Sequence, residues 1–124
     1  MTSPLARRRP LLAALMLGVT LLMAVACGSP TAAPGASTVK EITVTIAGRQ
    51  VTPPPGRIDV AKGQTVRITV TGDAVDEAHV HGYDKAADLK PGVPATIEFV
   101  ADQDGLFEVE THESKLQLCQ LVVR

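Results

Sequence analysis

The chain has 124 residues, and the first 26 read as a removable leader, which leaves 98 for one small domain. Taking out Arg7, Arg8 and Arg9 with that leader leaves 9 basic against 13 acidic side chains, a balance of −4. With no basic patch and only three aromatic residues (Tyr83, Phe99, Phe107) to stack bases, nucleic-acid binding is excluded. Two cysteines exclude a disulfide-rich scaffold and a four-cysteine zinc site.

Arg7 to Arg9 form a basic start, followed by a charge-free, largely apolar run of 16 residues from Leu11 to Ala26. A membrane span needs about 20 residues, so the run reads as the helical core of a signal peptide over residues 1–26. It ends Met23-Ala24-Val25-Ala26-Cys27-Gly28-Ser29, with small residues just before a cysteine. This resembles a bacterial lipobox, which implies that Cys27 becomes the N-terminus and carries a diacylglyceryl group. Ala24 stands where such boxes most often have Leu; the other reading is plain cleavage with a free Cys27 thiol. Two or more acyl chains anchor a protein stably, at about 0.8 kcal/mol per buried methylene. The expected location is therefore the extracytoplasmic face of the cell membrane. Residues 27–38, rich in Gly, Ser, Pro, Thr and Ala, read as a disordered tether.

From residue 39 to residue 124 the period is two. Ile42, Val44 and Ile46 alternate with Glu41, Thr43 and Thr45, which predicts a half-buried strand. Gly48 and then Pro53 to Gly56 interrupt it, since three prolines cannot sit in a central strand. Arg57 to Val60 is a short strand, Ala61 to Gln64 a turn, and Thr65 to Thr71 alternates again. Gly72 to Glu77 reads as an acidic loop before His79-Val80-His81-Gly82-Tyr83. Lys90 to Pro94 is a turn; Ala95, Ile97 and Phe99 mark another strand face; and Asp102 to Gly105 turns into Leu106 to Glu110. Leu116 to Val123 closes the set. No helical stripe interrupts it, so the expected fold is all-β, an antiparallel Greek-key sandwich of six to eight short strands.

The order of these segments resembles the cupredoxin fold. The resemblance rests on Ile58 to Ile68, the approach to His79, Phe99, Gly105 to Val109, His112 and the closing strand Leu118 to Val123. It is strongest to the small cupredoxin-like domains of bacterial envelope lipoproteins, of actinobacterial type, related to those of iron-uptake lipoproteins. In that family a blue copper atom is held by a His and then by Cys, His and Met near the C-terminus. The resemblance places His79, followed by Tyr83-Asp84, at the first ligand and His112 at the second histidine. The thiolate position falls at Glu110 or Thr111, the axial thioether position at Leu116 or Leu118, and all three methionines (Met1, Met16, Met23) lie in the leader. A blue electron-transfer site is therefore not expected. Cys119 is in phase with Leu121 and Val123 and reads as a small core hydrophobe.

His79, His81 and His112 remain, and they are the only histidines. Two apart in a strand, His79 and His81 point to one face, so with His112 they make a candidate Cu(II) or Zn(II) site to which Glu110 or Glu113 could add an oxygen. Asp73 to Glu113 holds eleven acids against Lys85 and Lys90. His-Val-His on a solvated face is also ordinary polar surface. Enzyme chemistry is not expected: no nucleophile elbow or phosphate loop is present. Asp102 and Asp104 suit a turn, and Glu108 and Glu110 suit an outward strand face. The expectation is a monomeric, lipid-anchored protein that handles copper without a blue centre; the alternative is a metal-free binding module that has lost the site. The sequence names no protein partner.

Overall fold

Residues 38–124 are described by the structure, a computed structural model; the leader, Cys27 and the tether up to residue 37 lie outside the described residues. Nine strands form there: β1 (Lys40–Ala47), β2 (Gln50–Thr52), β3 (Arg57–Val60), β4 (Thr65–Thr71), β5 (Asp76–Val80), β6 (Lys85–Leu89), β7 (Ala95–Val100), β8 (Gly105–Thr111) and β9 (Gln117–Val123). They build a four-stranded sheet, β2-β1-β4-β7, and a five-stranded sheet, β3-β9-β8-β5-β6.

The alternation seen in the sequence sets which side chains face inward. Ile42, Val44 and Ile46 of β1, Val66, Ile68 and Val70 of β4, and Ile97 and Phe99 of β7 cover one wall of the core. Ala78, Val80, Leu89, Val109, Leu118 and Leu121 cover the other. Each fully buried Val, Leu or Ile contributes about 1.5–3 kcal/mol. The outer face of the smaller sheet is polar, with Arg67 bridging Glu41 and Glu98 of the flanking strands at 2.6 Å each. Cys119 is buried, as its phase requires.

Four features depart from the sequence reading. Five of the seven strand pairings are antiparallel, but β1–β4 and β3–β9 are parallel. Side-chain period cannot report strand direction, so the pattern could not show this. β2 and β6 add two strands: β2 is three residues long, and β6 is an edge strand in which only Ala87 and Leu89 turn inward. The acidic loop is also shorter than expected, because Asp76 and Glu77 belong to β5. Finally, the β8–β9 register shifts at Val109/Glu110, which leaves Leu118 and Cys119 both buried in succession.

Beyond β5 the chain turns at Gly82 (φ +84°), where a Cβ would lie 2.6 Å from the Phe107 ring. That turn seats Tyr83 with its ring centroid 4.6 Å from those of both Phe99 and Phe107. The Tyr83 hydroxyl donates to the Gln103 carbonyl (3.0 Å) and accepts from the Gln103 amide (3.2 Å).

Candidate functional site

Register decides which polar groups on β5 and β8 meet. Ala78 opposes Thr111 and both are buried; His79 opposes Glu110, so both project from the outer face of the larger sheet. The His81 amide still donates to the Glu108 carbonyl (2.9 Å), which keeps His81 on the same face just past the end of β5. The two imidazoles meet edge to face, with centroids 4.6 Å apart and planes at 63°. His81 Nε2 is 2.8 Å from Glu110 Oε1, and His79 Nε2 is 3.7 Å from Asp84 Oδ1. An ionised carboxylate only accepts, so neutral His81 carries its proton on Nε2 and leaves Nδ1 free as a donor to a cation. Gly82 does not separate the pair. His79 is the less exposed of the two, its side chain at 25% against 49% for His81.

His112 stands apart. It lies one step beyond β8, where its amide donates to the Glu77 carbonyl (2.7 Å), so it is level with Glu77 rather than with His79. Its side chain is 61% exposed and its ring comes no nearer than 3.9 Å to Glu113. Among the described residues, no group of three or more His, Cys, Asp or Glu is gathered closely enough to hold a metal ion. The structure brings His79 beside His81 and His81 beside Glu110, two pair contacts, and His112 and Glu113 take part in neither. Cys119 takes no part: burial pushes its thiol up to about 11, so it stays protonated at neutral pH.

The end of the sandwich where the resemblance places a blue copper atom is filled differently. Of the two candidates for the thiolate position, Glu110 faces outward and Thr111 is the inward one, fully buried. Thr111 Oγ1 accepts from the Leu116 amide (2.9 Å) and pairs with Ser114 Oγ (2.6 Å). Asp76 takes the Ser114 hydroxyl (2.5 Å) and the amides of Ser114 (3.0 Å), Glu113 (2.8 Å) and Glu77 (2.8 Å). Partial burial alone would push the Asp76 carboxyl up; the Ser114 hydroxyl and the Glu113, Glu77 and Ser114 amides outweigh it and bring the pKa from 3.8 down to about 2. A hydroxyl at Thr111 and hydrocarbon at Leu116 and Leu118 supply no soft donor, so these residues do not fit a blue copper ion.

Beside this network lies a cleft of about 280 Å³, lined by Ile46, Leu89 and Leu116 and by the polar Arg49, Asp73 and Glu113. Gly48 and Arg49 both have positive φ (+53° and +65°), the twist that a two-residue β1–β2 hairpin needs. Arg49 reaches from that hairpin to the Ser114 carbonyl (3.1 Å), and Asp73 accepts the Gly48 amide (2.6 Å). Sequence reasoning missed Asp76, Ser114 and the cleft. The signal available was Thr111 and Ser114, hydroxyls three apart across a turn, which often bond the local backbone.

No protein-family model matches the chain, and no curated protein matches it by sequence. Solved structures do match it, and they show a cupredoxin-like fold. One is the solution structure of a copper-binding protein in the apo form, 21% identical, covering 69% of this chain and 88% of that one at a TM-score of 0.56. Auracyanin A, a blue copper protein from the green thermophilic photosynthetic bacterium Chloroflexus aurantiacus, is 15% identical over 70% of this chain and 100% of its own, with a TM-score of 0.54. Fet3p, a multicopper oxidase that functions in iron import, is 17% identical over 70% of this chain and 23% of its own, with a TM-score of 0.57. At these identities the likeness is one of fold.

Proposed function

We propose that this is a lipid-anchored, extracytoplasmic cupredoxin-like protein that takes up copper at an exposed, non-blue site on His79 and His81, for metal handling rather than electron transfer. The observation that carries the reading is the edge-to-face His79–His81 pair with the Glu110 carboxylate 2.8 Å from His81. Two imidazoles suit Cu(II), and the Glu110 carboxylate on the far nitrogen of His81 orients that ring and raises its basicity. A site with only two nitrogens and open positions binds weakly and exchanges readily, as delivery requires. Glu77 and Asp88, opposed on β5 and β6, add negative charge to the same face. Anchoring rests on Met23 to Ser29 and would be checked by fatty-acid labelling that disappears in Cys27→Ser.

The test is calorimetric titration of Cu(II) into residues 38–124, which carry a core of their own. One ion per chain is expected, with a broad weak visible absorption and no intense blue band. His79→Ala and His81→Ala should each weaken binding about tenfold or more, the loss of one strong ligand, and His112→Ala less. Heat equal to that of the His79/His81 double variant would sink the reading.

The filled end of the sandwich favours a second reading, a metal-free binding module that uses the cleft beside Ser114. It predicts no Cu(II) heat from the wild type at all.

A further inference from the structure

The loop joining β8 to β9, residues 112–116, is held from three sides. At its base the Thr111 amide donates to the Leu116 carbonyl (2.9 Å). From β5, Asp76 takes both the Glu113 and Ser114 amides and the Ser114 hydroxyl. From the other sheet Arg49 donates to the Ser114 carbonyl. The proton order follows from the chemistry of the acceptor. The Asp76 carboxylate has no proton to give, so the Ser114 hydroxyl must donate to it; Ser114 Oγ must then accept from Thr111, and Thr111 Oγ1 accepts from the Leu116 amide. The chain of donors runs one way, from Leu116 through Thr111 and Ser114 to Asp76. Among the described residues no buried side-chain nitrogen or oxygen lacks a partner.

We infer that Asp76 is a built-in clasp for the 112–116 loop, closing without any metal the end of the fold at which the resemblance places the copper ligands. The clasp fixes the Ser114 wall of the 280 Å³ cleft and the direction in which His112 leaves β8. It is independent of the copper reading, which concerns the outer face of the sheet.

The clasp makes a demand that only a carboxylate meets. Oδ1 takes two amides, and Oδ2 takes an amide and a hydroxyl. Asparagine has one oxygen, so whichever way it turns its NH2 faces at least one backbone N–H. Amide hydrogen exchange of the full chain in EDTA tests this. In the wild type the Glu113, Ser114 and Leu116 amides should exchange about a hundredfold or more slower than in an open loop. Asp76→Asn should speed all three about tenfold or more while Ile68 and Val109 keep their protection. Ser114→Ala, which keeps the fold and the Asp76-to-Glu113 bond, should abolish a slowly exchanging Thr111 hydroxyl proton in the NMR spectrum; it carries the test should Asp76→Asn not fold. Loop amides that exchange freely in EDTA and become protected only on adding Cu(II), or that ignore both substitutions, would overturn the inference. Because no copper is present, failure here is separate from failure of the titration above.

Discussion

Two polar clusters sit on neighbouring stretches of β5 and β8 and behave oppositely. On the outer face, His79, His81 and Glu110 share one short hydrogen bond and keep spare lone pairs toward water. At the end of the sandwich, Asp76, Thr111 and Ser114 bond one another, the loop backbone and the Glu77 amide. Direction is what separates them: Thr111 faces inward and is fully buried, whereas His79 and Glu110 project from the outer face. Inward polar groups must find partners within the protein. Outward groups need no partner, so they stay available. The imidazole and carboxylate groups that face solvent therefore lie on the flank of the fold rather than at its end.

The comparison can be broken by measuring stability. Asp76→Ala leaves several donors without an acceptor and should cost about 3 kcal/mol, read as a lower denaturant midpoint with an unchanged slope. Acid should erase part of the same contribution. The carboxyl titrates at about 2 in the folded protein against 3.8 ordinarily, so its stabilisation is complete above about pH 4 and is lost as pH falls toward 2. Urea midpoints between pH 5 and pH 2.5 should therefore fall more steeply for the wild type than for Asp76→Asn. Thr111→Val keeps the shape but strands the Leu116 amide, an expected loss of about 1–2 kcal/mol in the same assay. Smallest of all, His79→Ala and His81→Ala should each stay within about 0.5 kcal/mol without metal. Histidine substitutions as costly as Asp76→Ala would mean that the outer face is structural after all.

Much of this was legible in the sequence, for a definite reason. Strands with one apolar face, such as Ile42-Val44-Ile46 and Val66-Ile68-Val70, announce themselves through period two, as does the shared face of His79 and His81. β6 hides because alanine and charge fill it, and β2 because three residues carry no period. The parallel pairings hide because alternation is blind to direction. The clasp was out of reach on different grounds: alternation turns Glu110 outward and Thr111 inward, but Asp76 and Ser114 are 38 residues apart, and only the β5–β8 register brings them together.

Two contacts described above tie the two layers of the sandwich together at opposite ends of β5. Arg49, from the hairpin of the four-stranded sheet, grips Ser114 in the β8–β9 loop beside the start of β5, and Tyr83 pins the β7–β8 connection just past the end of β5. With a peg at either end, the layers cannot shear past each other without drawing both.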